Sequence, residues 1–280
     1  MLKTNQARQA ALDKLLKLRY PAIALKLVES EAEVPAGAER PADDWGKHIA
    51  LCQAFAYVRR QNKIICLRKE DQWCWTPLMC YGMCDGSKDS VAFKEKVKYI
   101  GIADPEKSAA FVATLPHLPR DKYFAIVMAP LDRADFAPDL ILTYTSNAQL
   151  RLMLMAVFSQ SGTMVDSSFI PLESCIYSVI PPIEEGKYRI TLPDPGEFER
   201  AFTGDDEIIF SVPAQKIDEF FAGVDYQLSF GRDLNSFYPT MKEDFARPPF
   251  YNRVFESWGM GTSELWDKKD GTRVTLLEEQ

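Results

Sequence analysis

Between residues 5 and 19, Ala7, Ala11, Leu12, Leu15 and Leu18 recur at helical spacing, with Arg8, Lys14 and Lys17 on the other side; this pattern predicts an amphipathic helix. Tyr20-Pro21 closes it, because proline disfavours helical backbone at the residue before it. Six apolar runs then predict strands, at residues 22–28, 63–68, 123–131, 139–144, 188–192 and 207–212. A second helix is expected from Gly46 to about Arg60, carrying Ile49, Cys52, Phe55, Ala56 and Val58. Asp104-Pro105 opens another, since the aspartate can cap free amides and proline suits the first turn. A Met-rich helix follows at 147–159, and Pro213 opens one that runs to about Val224. The acidic stretch 29–45 reads as an exposed excursion, residues 194–200 as a charged turn and Asp205-Asp206-Glu207 as a solvated loop.

Helices and strands interleave, so the expected class is α+β or α/β, a mixed sheet with flanking helices whose strand order the pattern does not give. Residues 1–230 are expected to form one domain. Residues 231–280, with isolated aromatics and Pro248-Pro249, are expected to form an irregular extension packed on it.

Charge narrows the partners. Lys plus Arg is 33 against 40 Asp plus Glu, a formal charge of −7 over 280 residues, and this argues against a nucleic-acid partner. The first eight residues lack an apolar signal core, and the longest apolar runs fall far short of the ~20 residues of a membrane helix. A cytoplasmic protein without membrane contact is expected. No GxSxG, P-loop, GxGxxG or H-E-x-x-H pattern occurs, which removes the main support for several enzyme classes.

Six cysteines and two histidines remain as the most informative residues, and two histidines exclude a His-rich metal site. Cys74, Cys80 and Cys84 form a C-x5-C-x3-C run in which Cys80 and Cys84 would share a helical face. His48 and Cys52 are likewise four apart. Thiolates are soft ligands, suited to zinc or an iron–sulfur cluster. Two other readings stay open: small buried hydrophobes, or a Cys52 nucleophile whose thiolate His48 stabilises. Trp73, Trp75, Tyr81 and Gly82 beside these cysteines are either core or the walls of a flat pocket for a small molecule. A separate anion site is expected where a strand meets a helix, at Asn147, Gln149 and Arg151, with capping by Ser146 as the plainer alternative. Arg200 is expected either to face an anionic ligand or to pair with Glu197.

In order along the chain, several features resemble the domain of unknown function 169 family of bacterial and archaeal proteins. They are Pro21-Ala22-Ile23-Ala24-Leu25, Cys52 before Ala54, the strand 63–67, Cys74 eight residues before Gly82, and Asn147-Ala148-Gln149 with Arg151-Leu152. Cys175 before Pro181-Pro182, Pro195-Gly196 before Arg200, and Asp205-Asp206-Glu207 with Pro213 complete the set, so the likeness runs from about residue 10 to 225. The resemblance implies no particular activity. It does imply that Cys52, Cys74 and Cys175 are the recurrent family cysteines and that Cys80 and Cys84 are extras. The expected centre becomes a three-dimensional trio holding a metal or iron–sulfur cluster, with an open fourth position for substrate. The alternatives are a non-catalytic module for a small ligand or cofactor, and a Cys–His thiol enzyme.

Overall fold

All six apolar runs are strands in the computed structural model, which describes residues 4–237 and 250–260. They are β1 (Ile23–Val28), β2 (Ile65–Leu67), β3 (Ala125–Pro130), β4 (Leu140–Thr145), β5 (Arg189–Thr191) and β6 (Ile208–Pro213). Together they make one sheet in the order β2-β3-β1-β4-β6-β5, and every pairing is antiparallel. That pattern makes the fold α+β rather than α/β, since no strand needs a parallel crossover. β1 lies in the middle, with Leu25 opposite Met128 on one side and Leu140 on the other.

Side chains alternate across the sheet as the strand period demands. Ile23, Leu25, Leu27, Ile126, Met128, Leu140, Leu142 and Ile209 enter one core. Ala24, Ala129, Ile141, Phe210 and Val212 enter a second core on the opposite face. Both faces are covered, so the central strands read as near-continuous apolar runs.

The second core is roofed by three long helices, α1 (Asn5–Leu16) and two described below as α7 (Asn147–Ser161) and α11 (Ile217–Ser229). The first core is covered by shorter pieces. In chain order these are α2 (Pro41–Trp45), α3 (Leu51–Gln61), α4 (Trp75–Cys80), α5 (Val91–Tyr99), α6 (Pro105–Val112), α8 (Ser174–Tyr177) and α9 (Ile180–Glu185). α10 (Pro195–Arg200) packs on α3. α7 and α11 approach so closely that a Cβ on Gly223 would sit 2.1 Å from the Ala156 carbonyl oxygen.

Three expectations about local structure are corrected. The second helix does not begin at Gly46; that glycine, at φ 61°, ends α2, and α3 starts only at Leu51. Residues 194–200 are not a turn: Asp194 accepts from the Glu197 amide and Pro195 fills the first position of α10. The excursion 29–45 is partly buried, with Pro41 inside and the Ala42 amide donating to the fully buried Asp71 carboxylate.

By its contacts the chain divides into Met1–Ser236 and Phe237–Gln280. Within the second unit, where an irregular tail is expected, α12 (Phe250–Ser257) is helical. Pro248-Pro249 and residues 261–280 lie outside the described residues. Among the described residues, no helix is long and apolar enough to cross a membrane.

Candidate functional site

Two cysteines, Cys52 and Cys74, share one small cluster, and a third, Cys175, lies in the neighbouring first core on the same side of the sheet. Cys52 sits in the first turn of α3, whose start is held by Gln53: its side-chain oxygen accepts from the Ala50 amide at 2.9 Å. The same oxygen accepts from the Trp73 indole at 3.1 Å, and Ile49 bridges to Gln72. These ties lay residues 72–74 beside the start of α3, and Cys74 packs on the small cluster of Ala50, Cys52, Ala56 and Ala201. Cys175 arrives from the other direction, in α8. Its thiol lies within electrostatic range of both Cys52 and Cys74, which are themselves coupled.

α8 is fixed by polar contacts. Glu173 precedes it with a left-handed backbone, φ 60°, a conformation that non-glycine residues adopt at a cost and often at functional sites. The Ser174 amide donates to Asp194 at 2.9 Å, and the Ser174 hydroxyl donates to Glu197 at 2.6 Å. Glu197 is fully buried and also accepts from Tyr144 at 2.9 Å and Thr203 at 3.1 Å. Tyr144 in turn lies under the Arg59 guanidinium, 3.8 Å from its ring centre, and Arg59 forms a two-pronged ion pair with Glu207. Glu207 therefore belongs to a half-buried ion pair rather than to a solvated loop.

The electrostatics keep the thiols protonated. Burial pushes Cys52 up to about 12, and the Glu197 and Asp194 carboxylates push the same way while Arg200 opposes them. Cys74 is raised by burial and by Glu173, against Arg200 and Lys96. Cys175, wholly buried, is raised well above the usual thiol range, by burial first and then by Asp194. Burial also lifts Glu197 to about 7, although its three hydroxyl donors favour the carboxylate. Lys96 pairs with Glu173 and lies 5.8 Å from the Trp75 ring centre. Arg200 lies over Trp73, 5.2 Å from its ring centre.

The remaining expectations sort as follows. His48 is exposed and precedes α3, so the helical face it was to share with Cys52 is not formed. The charges that act most on Cys52 are Glu197, Asp194 and Arg200, and they raise its thiol overall, the opposite of an activated nucleophile. Cys80 and Cys84 do not share a helical face, because α4 ends at Cys80 and Cys84 lies beyond it. Cys80 is buried in the first core and Cys66 in a separate one. Gly82 serves packing: at φ 71° its bare Cα lies against the Pro119 carbonyl, where a Cβ would come within 2.4 Å.

Asn147, Gln149 and Arg151 begin α7, which covers the opposite face of the sheet from the cysteines. Gln149 caps that start with Ser146 and donates to the Leu16 carbonyl at 2.9 Å, so it is committed to structure. Among the described residues, no group of three or more His, Cys, Asp or Glu side chains is placed so that it could hold a metal ion. Glu173 and Asp194 are the site residues that sequence reasoning did not assign; Arg200 was singled out, but the pairing with Glu197 is not formed, because Glu197 is held by Ser174, Tyr144 and Thr203 while Arg200 lies over Trp73. The Asp-Pro pair with Glu197 three residues after Asp194 was a readable helix start, and it leads straight to Asp194 and Glu197.

A pattern described as DUF169, uncharacterised ArCR, matches residues 11–223. The chain is 24% identical over 229 residues to uncharacterized protein MJ0308 of Methanocaldococcus jannaschii, covering 80% of this chain and 96% of that protein. No solved structure matches the chain. The match spans every residue of the thiol cluster, and the chain belongs to the DUF169 family.

Proposed function

We propose that the chain is a thiol-centred binding protein whose ligand is a soft metal centre, zinc or an iron–sulfur cluster, held by Cys52, Cys74 and Cys175. The observation that carries this reading is that Cys74 packs on the cluster that holds Cys52, and that Cys175, although it shares the first apolar core with Cys80, stays within electrostatic range of both, while Cys66 lies in a separate core. A donor set of three sulfurs suits borderline and soft cations. Three protein ligands also leave a fourth position, through which a bound centre activates or recognises a small molecule.

Because, among the described residues, no three His, Cys, Asp or Glu side chains are placed to hold a metal as they stand, uptake of the centre requires a rearrangement that brings the three thiols together. It also requires them to ionise. Because burial holds the thiols protonated, binding releases protons and strengthens as pH rises.

The test is titration of anaerobically purified, full-length protein with Co2+, together with iron, zinc and sulfide analysis of the protein as isolated. Thiolate-to-cobalt absorption is expected in the wild type and in Cys84→Ser, and is expected to vanish in Cys52→Ser, Cys74→Ser and Cys175→Ser. Absence of that absorption, or its survival when all three are serine, overturns the proposal.

A further inference from the structure

The rim of the thiol cluster carries a cation with an unusual setting. Among the described residues, Arg200 makes no hydrogen bond and no ion pair; its recorded contact is the Trp73 ring. It occupies space that exists because residue 196 is glycine: a Cβ there would lie 2.3 Å from a terminal guanidinium nitrogen. Arg200 acts electrostatically on both Cys52 and Cys74, and Cys74 is partly exposed. Trp73 is 47% exposed, so the guanidinium and the indole present a polar and a flat apolar element side by side.

We infer that Arg200, lying over Trp73 and given room by Gly196, is an anion-binding subsite that holds the carboxylate or phosphate of a small organic ligand beside the thiols. A guanidinium has five N–H donors in a planar fork that matches carboxylate and phosphate oxygens, and stacking on an aromatic ring orients that fork without consuming its donors. The other rim cation, Lys96, is paired directly with Glu173; Arg200 feels Glu173 and stands near Asp194 but has no direct carboxylate partner among the described residues, so it is the cation left to meet an anion. This deepens the proposal above; it rests on that reading for the place of the ligand, not for the ligand's charge.

The probe is a pair of alkylating agents of nearly equal size, anionic iodoacetate and neutral iodoacetamide. Their rates at Cys74 are followed by mass spectrometry on the full chain without added metal. In the wild type, the iodoacetate-to-iodoacetamide ratio is expected to exceed that of free cysteine by roughly two- to fivefold, the size of one partly screened charge near the thiol. Inorganic phosphate should slow the iodoacetate reaction saturably. Arg200→Gln should return the ratio to that of free cysteine, and Arg200→Lys should restore part of it. A ratio unchanged in Arg200→Gln, or no preference in the wild type, overturns the inference. If the preference holds while cobalt fails to bind, the subsite stands and the metal reading falls.

Discussion

Helices of 12, 15 and 13 residues cover one face of the sheet, whereas the pieces over the other run from 4 to 11 residues. The difference is one of backbone bookkeeping. Each helix end leaves several amides or carbonyls without an intrahelical partner, so a face tiled with short helices has more such groups to satisfy. On the long-helix face few buried polar side chains are needed; Gln9 accepts from the Ala22 amide and Gln227 donates to the Met155 carbonyl, while the buried Thr143 hydroxyl goes without a partner among the described residues. On the short-helix face the answering groups are Gln53, Ser174, Asp194 and Glu197, and they are the groups that surround the thiols. Irregular backbone brings polar side chains inside, and those side chains then become available for chemistry.

The comparison predicts that damage to the long-helix face costs stability and leaves the site alone. Phe220 is fully buried among Phe210, Tyr188 and Phe221, with ring centres at 5.9, 6.4 and 5.2 Å. Phe220→Ala should lower unfolding free energy by about 3–5 kcal/mol, through lost burial and the cavity left behind. Urea denaturation measures this. In the fraction that remains folded, cobalt stoichiometry and the alkylation ratio at Cys74 should match the wild type. A folded variant with an altered ratio shows that the two faces are mechanically coupled and breaks the comparison.

A smaller effect, and one that depends on pH, is expected from Glu197. Its folded pKa of about 7 lies above the ordinary glutamate value of 4.5, because burial favours the neutral acid. The folded state then binds the proton more tightly than the unfolded chain. The stabilisation is complete below pH ~4.5 and is lost as pH rises through about 7. The total is on the order of 3 kcal/mol for a group this deeply buried. Glu197→Gln removes the titration. The stability of the wild type relative to this variant should therefore fall between pH 4.5 and 7 and level off above, as urea midpoints at a series of pH values would record. A flat difference across that range sinks the reading of Glu197 as a protonated buried acid.

The same contrast explains what the sequence disclosed. All six strands were legible, because a sheet covered on both faces writes itself as apolar runs, and α6 was legible from Asp104-Pro105. The start of α3 was not. Ala50 has no side-chain oxygen to announce a cap, and Gly46, which looks like an opening, closes α2 instead. That shift of five residues separated His48 from Cys52. The trio of Cys52, Cys74 and Cys175 was suggested only by family likeness, since no local spacing encodes the approach of α8 to a segment about 100 residues earlier. Glu197 and Arg200 were visible as a charged pair in a turn. Their actual division of labour, one inward to Ser174, Tyr144 and Thr203 and one outward onto Trp73, follows from the helical twist of α10 and from packing that the pattern does not carry.

One substitution, made once on each face, sharpens the comparison further. Gly223 and Gly196 both lie in helices, and alanine raises intrinsic helix stability by up to about 1 kcal/mol at such positions. At Gly223 the obstacle is backbone, the Ala156 carbonyl oxygen at 2.1 Å from the new Cβ, and helices must separate. Gly223→Ala should cost about 1–3 kcal/mol, as overpacking does. At Gly196 the nearest obstacle is the mobile tip of Arg200, at 2.3 Å, which can swing away; the next is the capping Asp194 Oδ1 at 3.0 Å, which has to give by only a few tenths of an ångström. Gly196→Ala should change stability by no more than about 1 kcal/mol. Yet it should abolish the iodoacetate preference at Cys74, because the guanidinium loses its seat over Trp73 while remaining on the chain. Thermal melts and the alkylation ratio, measured on the two variants side by side, check both halves. An unchanged ratio in Gly196→Ala means that Arg200 binds anions without being placed by its neighbour, and the glycine is then only a feature of the helix start.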